Sequence, residues 1–391
     1  MVSARTLNDV PAHEQGDGSV AGRAVDVLVI LDGASEPLGE AQTSLERAHT
    51  PVLDGLADEG VITALHTVTS GLPVGSETAI PALLGWMPDA PVDRGAVEAA
   101  AHGIEVADGE RAWRVDRRDR RDAMATARQL AHVLAKSVPG RRGASRGRVH
   151  HLRGHRMLVV GPDPERTLGG ELLQVALRSG QFGRELVVWP TGAIPRRVLD
   201  GETVVIGARG AAIGIARLLG ARTIVPRGAT GRPGTDLAAK AAAALMAMEE
   251  GSGSEDNGIG GRGADRRGER APTRVVVHVG APDEAAHERD ADGKVAAIEA
   301  ADALLLAPLA RALRTNGGTL QVCPDHGCDP ATGEHDGAPV PCLLWSATDA
   351  LDADRATGQR LTERTATERS RGGAASVVDT ACLLGDGTVA V

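Results

Sequence analysis

Acidic and histidine residues stand just past the apolar runs of this sequence, where a strand would end. Asp283 and His287 are four residues apart and share a face if their segment is helical. In open α/β sheets, ligands gather outside the carboxyl ends of strands, so these residues can converge. Three carboxylates and three imidazoles are enough for two metal ions with a bridging group, and this mixed set suits Mn or Zn best. The residues, in chain order, are Asp32, Asp283, His287, Asp325, His326 and His335.

Ser76 is the candidate nucleophile. Gly75-Ser76-Glu77 begins a predicted helix, so the positive end of the helix dipole would face an incoming phosphate. A serine needs a base or a metal to remove its proton, and two metals could do so while holding the phosphoryl oxygens. Taken singly, a strand-end Asp is often a helix cap, and Ser76 could be an ordinary N-cap. Their combination favours phosphoryl transfer.

The segments around these residues alternate between strand and helix patterns. The run Ala24–Leu31 is bounded by Asp32-Gly33, which is typical of a buried parallel strand. A helix is predicted from about Ser44 to Glu59. Alternating strands and helices predict an α/β protein with a doubly wound, mostly parallel sheet. Further strands are predicted at residues 204–206, 223–225, 274–279 and 319–323, with a long helix between the last two.

Changes in composition predict a division into domains. Residues 1–24 are polar and aperiodic and are expected to be a disordered lead-in. Residues 93–199 contain an Arg-dense stretch, a predicted helix near 122–136, a Gly/Arg loop over 139–153 and two strand-like runs, and are interpreted as an inserted, smaller α+β cap. The core would then comprise residues 25–92 and 200–391, with a flexible Gly-rich loop at 250–273.

Composition limits the classes of partner and compartment. The chain has no Tyr, one Phe, four Trp and a formal net charge of -9, which argues against nucleic-acid binding. Four cysteines form no CxxC pair, and Cys323 and Cys328, on either side of Asp325-His326, are expected to be buried non-ligands. No apolar run has the length of a membrane span, and no signal peptide is recognised. A cytoplasmic protein without membrane or nucleic-acid partners is expected; its oligomeric state is left open.

An ordered set of motifs resembles the archaeal-type cofactor-independent (2,3-bisphosphoglycerate-independent) phosphoglycerate mutases of the alkaline phosphatase superfamily. The resemblance covers most of the chain and is weakest between about residues 115 and 200. The motifs are LDGASEP at 31–37, TSLERAHTP at 43–51, GLPVGSETA at 71–79, LGWMP at 84–88, GATGRPGTD at 228–236, HVGAPDEAAH at 278–287, PDH at 324–326 and HDGAPVP at 335–341.

The resemblance implies an alkaline phosphatase-like core and a role for each matched residue. Such enzymes are glycolytic isomerases that move a phosphoryl group onto a serine and return it to a neighbouring hydroxyl, while the cap holds the glycerate. Arg114, Arg156 and Lys240 would bind substrate. One metal would be held by Asp32, Ser76, Asp325 and His326, with Ser76 also the phosphoserine site, and the other by Asp283, His287 and His335.

One departure from the family pattern affects the expected substrate pocket. The family usually shows Arg-x-Asn where this chain has Arg114-Val-Asp116. The sequence therefore predicts a two-metal phosphomutase that interconverts 2- and 3-phosphoglycerate or a related small phosphorylated hydroxy acid. A phosphatase or phosphonate hydrolase, in which water attacks the phosphoserine, is the alternative within the superfamily. A non-catalytic metal-binding regulatory protein is the alternative from another class.

Overall fold

The predicted first strand forms β1, Asp26–Leu31, and lies inside an 8-stranded sheet between β9 and β10. The structure, a computed structural model, describes residues 24–119, 121–137, 147–163, 185–199, 202–252, 272–348, 358–371 and 375–376. The strand order is β14-β2-β13-β10-β1-β9-β7-β8. The other strands of this sheet are β2 Val61–His66, β7 Thr203–Ile206, β8 Arg222–Ile224, β9 Arg274–Val279, β10 Thr319–Cys323, β13 Val340–Ser346 and β14 Ala375–Ser376.

The sheet is mostly parallel, as the sequence predicts, and the α/β class is confirmed. In this sheet, strand β13 runs antiparallel to β10 and β2. The other pairings between the described strands of the same sheet are parallel. Side chains of β1 alternate between two buried layers, with Val29 on one face and Ile30 on the other. A strand that is buried on both faces needs an unbroken apolar run, which explains its sequence.

Helices cover both faces of this sheet. They are α1 Ser44–Arg47, α2 Pro51–Glu59, α3 Ser76–Leu83, α4 Arg94–His102, α6 Ala211–Leu219, α7 Leu237–Ser252, α8 Ala281–His287, α9 Ala291–Ala301, α10 Ala307–Asn316 and α11 Glu363–Arg369. A π-helical segment, Asp302–Leu306, joins α9 to α10. It precedes Pro308, whose ring would clash with a carbonyl of the preceding turn in a regular helix. The long helix predicted in this region is therefore two helices with a π segment between them.

The helix predicted from Ser44 to Glu59 is also two helices. Thr43 caps α1 in a capping box with Glu46, and α1 ends at Arg47. Thr50 has non-helical backbone angles, φ -126 and ψ 64, because a residue before proline avoids the helical region. Pro51 then takes the first position of α2, where its missing N–H costs nothing.

A second, 4-stranded antiparallel sheet has the order β4-β5-β3-β6. Helix α5, Met124–Ser137, covers one face through a core that includes Trp113 and Leu130, and α4 lies on the other. The predicted loop over 139–153 is in part wrong, since its last six residues form β4; residues 138–146 lie outside the described part. The strands are β3 Glu110–Arg117, β4 Arg148–Arg153, β5 Arg156–Pro162 and β6 Leu186–Val188.

Two short strands, β11 Gly327–Asp329 and β12 Glu334–Asp336, form a hairpin beyond β10. This hairpin positions His335 near the end of β10. None of the described helices has both the length and the apolar character of a membrane span. Residues 1–23 of the predicted lead-in and residues 253–271 of the predicted loop lie outside the described residues.

Candidate active site

Three neighbouring parallel strands, β9, β1 and β10, bring their carboxyl ends to one edge of the large sheet. Ile30 of β1 is in register with His278 of β9 and with Cys323 of β10. Asp32 follows β1 and Asp325 follows β10, so their side chains reach the same place. The predicted convergence at a strand edge is what the structure describes.

The first group of side chains at this edge surrounds Ser76 and is called the Ser76 cluster. It contains Ser76, Asp32, His278, Asp325 and His326. The Ser76 hydroxyl donates to Asp32 Oδ1 at 3.0 Å, and its Oγ lies 3.3 Å from His326 Nε2. His278 Nε2 lies 3.2 Å from Asp32 Oδ2, and His326 Nε2 lies 3.6 Å from Asp325 Oδ2. Asp325 Oδ1 accepts from the backbone N–H groups of Gly33 and His326, which fixes this carboxylate.

The second group lies beside the first and is called the His335 cluster. It contains Asp283, His287 and His335. The Asp283 carboxylate lies 3.3 Å from His287 Nε2 and 3.4 Å from His335 Nε2, and the two Nε2 atoms are 3.0 Å apart. Asp283 and His287 lie one turn apart on α8, as their spacing predicts. The ring of His335 is 4.2 Å from that of His326, so the two clusters are adjacent.

The imidazole rings are oriented by backbone carbonyls. His287 Nδ1 is 2.8 Å from Gly333 O, His335 Nδ1 is 2.9 Å from Val74 O, and His326 Nδ1 is 3.0 Å from Gly327 O. A nitrogen that faces a carbonyl must donate, so each Nε2 of the neutral ring is left with a lone pair. In proteins, histidine metal ligands are commonly oriented in this way, by a carbonyl that accepts from the ring nitrogen opposite the metal.

The two clusters contain more acceptors than donors, which fits bound cations. The Nε2 lone pairs of His287 and His335 face each other and Asp283, so a proton or a metal ion is required among them. Within the described residues, Asp283 Oδ1, Asp325 Oδ2 and His278 Nε2 are buried and lack a hydrogen bond of good geometry. Oxygen and imidazole ligands suit Mn or Zn. The residues present therefore fit divalent metals.

Three sets of potential ligands place their donor atoms within 4.8 Å of one another. They are Asp32 with Asp283 and His326; Asp32 with His278 and Asp325; and Asp283 with His287, Cys328 and His335. Burial raises the pKa of the Cys328 thiol, with the Asp283 charge acting in the same direction. Metal coordination at this sulfur would therefore require the loss of a proton that the thiol holds firmly.

The charges of the clusters shift the pKa values of their members in opposite directions. Burial, followed by the charges of Asp325 and Asp283, raises the pKa of Asp32 well above its usual range. Burial alone would raise the pKa of Asp283 also, but hydrogen bonds from His287 and His335 lower it well below that range. The Asp283 carboxylate in turn raises the pKa of His287, against burial. Perturbation of this kind is frequent at functional sites.

A cavity of about 850 Å³ opens from the two clusters toward the second sheet. Ser76, Asp32 and His335 line it on the side of the large sheet, and Trp189 lines it on the other side. Arginines dominate the remaining wall, as expected of a site for anions. They are Arg94, Arg114, Arg117, Arg118, Arg153, Arg156, Arg209 and Arg232.

The predicted substrate residues occupy different positions relative to this cavity. Arg114 and Arg156 both line it. Lys240 does not: its side chain is fully buried, and its ammonium group donates to His278 O at 2.8 Å. Burial lowers the pKa of Lys240 to about 8. Lys240 therefore supports the strand that carries His278, and any contact with substrate would be indirect.

Lys294 is a second fully buried lysine near the clusters. Its ammonium group donates to Cys328 O at 2.6 Å and to Ser35 O at 3.2 Å, and lies 3.0 Å from Glu36 Oε1. It thereby ties the loop after β1 to the hairpin that carries His335. A compact ammonium with several donors is needed at such a point.

His278 and the acidic residues around Arg114 are absent from the predicted site. His278 lies inside β9. The motif HVGAPDEAAH at 278–287 begins with this residue and could have indicated a functional role, but a histidine within an apolar strand is more often a packed core residue. Burial lowers the pKa of His278 to about 4, which keeps this ring neutral and able to accept a cation. Glu77, Glu98 and Asp116 come together only through the packing of α3, α4 and β3, which no local pattern reveals.

Comparisons with known proteins agree with this geometry. The family model described as 2,3-bisphosphoglycerate-independent phosphoglycerate mutase matches residues 57–172, and the model of the metalloenzyme superfamily matches residues 264–381. A 2,3-bisphosphoglycerate-independent phosphoglycerate mutase 2 of Methanothermobacter thermautotrophicus is 29% identical over 84% of this chain and 90% of its own length. The enzyme named phosphoglycerate mutase from Methanopyrus kandleri is 28% identical over 84% and 89%.

Solved structures share the fold. The PH0037 protein from Pyrococcus horikoshii superposes with a TM-score of 0.69 at 21% identity, over 93% of this chain and 96% of that one. The cofactor-independent phosphoglycerate mutase of Thermoplasma acidophilum gives a TM-score of 0.50 at 18% identity, over 93% and 99%.

The carboxyl-terminal part of the chain is similar to the metalloenzyme superfamily, and its described side chains include groups that could hold metal ions. Over most of its length the chain is similar to 2,3-bisphosphoglycerate-independent phosphoglycerate mutases. The predicted resemblance to the archaeal type of this family is confirmed.

Proposed function

We propose that this chain is a metal-dependent phosphomutase that interconverts 2- and 3-phosphoglycerate, or a related small phosphorylated hydroxy acid, through a phosphoserine at Ser76. The observation that carries the proposal is the position of the Ser76 hydroxyl. It donates to Asp32 at 3.0 Å, lies 3.3 Å from His326 Nε2, and faces a cavity lined with arginines. A hydroxyl between a carboxylate and an imidazole, open to anions, suits attack on a phosphoryl group.

Two divalent ions, Mn or Zn, complete the proposed site. One is held by Asp32, Ser76, Asp325 and His326, and the other by Asp283, His287 and His335. When bound, such ions lower the pKa of a serine hydroxyl and neutralise phosphoryl oxygens. The carbonyls behind His287, His335 and His326 keep their Nε2 lone pairs directed into the site.

The transfer itself balances without a co-reactant. The bond from Ser76 Oγ to phosphorus forms as the bond from phosphorus to the substrate oxygen breaks. The proton that Ser76 loses matches the proton that the leaving oxygen gains. The reverse transfer to the neighbouring hydroxyl restores Ser76, and the arginines of the cavity hold the glycerate in the interval.

The second sheet supplies the proposed cap. Its β3, β5 and β6 bring Arg114, Arg156 and Trp189 to the cavity opposite Ser76. We assign residues 93–199 to this inserted cap and residues 25–92 and 200–391 to the core. Water between the cap and the core could attack the phosphoserine and release phosphate. A mutase therefore needs a cap that excludes water during transfer, whereas a phosphatase or phosphonate hydrolase, the alternative, needs one that admits it.

The proposal is tested with metal-free protein that receives Mn or Zn before 3-phosphoglycerate is added. Formation of 2-phosphoglycerate is expected with the native chain, and Ser76→Ala should lower the rate at least 10³-fold, in the range seen when catalytic residues of other enzymes are removed. The matched control is Ser70→Ala, an exposed serine of the same loop, which should retain the native rate.

Three outcomes would contradict the proposal. Release of free phosphate without 2-phosphoglycerate would identify a hydrolase. Turnover of any phosphoester that survives in Ser76→Ala would exclude Ser76 as the carrier. Metal binding without turnover of any phosphorylated acid or phosphonate would instead favour a non-catalytic, metal-binding regulatory protein.

A further inference from the structure

Every nitrogen of the Arg114 guanidinium group faces a carboxylate. Its Nε and Nη2 donate to the two oxygens of Asp116, at 3.2 and 3.1 Å. Its Nη1 lies 3.3 Å from Glu98 and 3.8 Å from Glu77. Arg114, Asp116 and Glu98 are 8%, 6% and 5% exposed, so solvent screens these contacts only weakly. Arg114 lines the cavity with its bidentate edge already occupied.

Asp116 is held in this position from a second side. The indole N–H of Trp189 donates to Asp116 Oδ2 at 2.8 Å, and β6 pairs with β3 at this residue. Rotation of Asp116 away from Arg114 would therefore break three hydrogen bonds within a buried wall. The internal carboxylate is a fixed part of the cavity, because buried charges that lose a partner are costly.

The same wall has no excess positive charge. Arg94 stacks on Trp189, with its guanidinium carbon 3.9 Å from the ring centroid, and donates to Glu77 at 3.2 Å. Burial alone would raise the pKa of Glu77, but Arg94 and Arg114 lower it, so this carboxylate is ionised. The three carboxylates Glu77, Glu98 and Asp116 are matched by Arg94, Arg114 and, at longer range, Arg156, so a substrate carboxylate at this wall would be an uncompensated anion. Like charges at such distances repel in a buried site.

Other arginines of the cavity remain open to an anion. Within the described part of the chain, Arg156 and Arg209 line the cavity with no side-chain hydrogen bond and no ion pair to a carboxylate. A phosphate or carboxylate therefore has partners near these two residues but not at Arg114. A neutral hydroxyl at the Arg114 wall can instead donate to the oxygens of Asp116 or Glu98.

We infer that Asp116 is a specificity-determining residue: it fills the place at Arg114 that a substrate carboxylate would take, and so favours a phosphorylated substrate with a hydroxyl group at that end. The inference rests on the proposed function in taking this cavity as the phosphoester site. It narrows the substrate class to phosphorylated hydroxy compounds that present a neutral end to Asp116.

Two ligands that differ only at one carbon test the inference. The probes are 3-phosphoglycerate, which ends in a carboxylate, and glycerol 1-phosphate, which ends in a hydroxymethyl group. Dissociation constants are measured by calorimetry with Mn²⁺ in the Ser76→Ala chain, so that no phosphoryl transfer occurs. Asp116→Asn in that chain should tighten binding of 3-phosphoglycerate at least tenfold relative to glycerol 1-phosphate, because one edge of Arg114 is freed.

Controls separate this effect from a general change in charge. Asp292→Asn removes an exposed carboxylate paired with Arg47, away from the residues that line the cavity, and should leave the ratio of the two dissociation constants unchanged. Adding Arg114→Gln to Asp116→Asn should abolish the gain. If Asp116→Asn fails to fold, Glu98→Gln, which frees Nη1, should shift the ratio in the same direction.

Unchanged or weaker relative binding of 3-phosphoglycerate in Asp116→Asn would overturn the inference, as would equal tightening of both ligands. Because the readout is binding, it stands apart from the turnover experiment on the proposed function. A chain that fails to form 2-phosphoglycerate can still show the predicted change of ratio, and an active mutase can fail to show it.

Discussion

His287 and His335 direct their Nε2 atoms toward one another because both Nδ1 atoms face carbonyl groups. In the metal-free protein that contact requires a proton, and Asp283 raises the pKa of His287 accordingly. Hydrogen bonding to Asp283 and the Asp283 charge also raise the pKa of His335, although burial is the largest single influence and opposes them. A metal ion must therefore displace protons that these rings hold more firmly than ordinary histidines do.

Metal affinity is expected to rise with pH for this reason. Since the pKa values of both rings are raised, the protons that compete with the metal are lost only above the usual range of histidine. Between pH 8 and pH 6 the affinity for Mn²⁺ should fall by about 10- to 100-fold, because displacement of one proton changes the affinity by at most about tenfold per pH unit. Competition with a chelator at the two pH values measures this change. His49→Ala, an exposed histidine, should preserve it; equal affinity at both pH values would contradict it.

Residue types and spacing were sufficient to predict that Asp32 and Asp325 follow neighbouring strands and lie close together. Their position depends only on where a parallel strand ends, which an apolar run reveals. The partners of Arg114 were not predictable, because Glu98 and Asp116 approach it from a helix and a strand. Lys240 follows the GATGRPGTD motif, which suggested contact with substrate. Its side chain instead points into the core and donates to His278 O of β9, and sequence alone does not specify this direction.

Helix α4 packs closely against β3 of the second sheet and against α6, and a glycine stands at each of these contacts. A Cβ atom at Gly95 would lie 2.1 Å from Ala112 O in β3, and one at Gly214 of α6 would lie 2.1 Å from Val97 O in α4. Only glycine permits backbones to approach so closely. Because α4 also carries Arg94 and Glu98, these contacts set the distance of its side chains from the cavity. Sequence patterns did not predict these close contacts, because they depend on which backbones meet in the folded chain.

Gly214→Ala is expected to displace α4 and to destabilise the protein by about 1–3 kcal/mol, as overpacking does. It should also raise the KM for the substrate, since Arg94 and Glu98 move with the helix. The matched control is Gly55→Ala in α2, which has nothing within 4 Å of the added Cβ. That change should stabilise by up to about 1 kcal/mol through helix propensity. Denaturant unfolding of both variants compares them; equal stability would contradict the close contact.

The residues of the candidate metal site come from segments that are far apart in sequence. Asp32 follows β1, Asp283 lies in α8, and His335 lies in the hairpin after β10. The alternation of strands and helices predicted the order of these segments well. It did not predict that β13 runs antiparallel, because both directions give the same apolar pattern.

Metal ions should therefore stabilise the global fold. A ligand that binds only the folded state adds about 4 kcal/mol at a free concentration one thousand times its dissociation constant. The Tm measured with Mn²⁺ or Zn²⁺ is expected to exceed the Tm with EDTA by several degrees. His326→Ala should lose most of this shift, while His49→Ala retains it. The same Tm with and without metal would contradict the proposed cation sites.

The central position of β1 has a consequence for biosynthesis. Its two neighbours, β9 and β10, begin at Arg274 and Thr319, so both hydrogen-bonding edges of β1 are without these partners while most of the chain is translated. Unpaired edges of this kind favour aggregation of nascent chains. The proposed metal ligands Asp283, Asp325, His326 and His335 also lie in the last third of the chain, so the proposed set would be complete only after the hairpin that carries His335 has been synthesised.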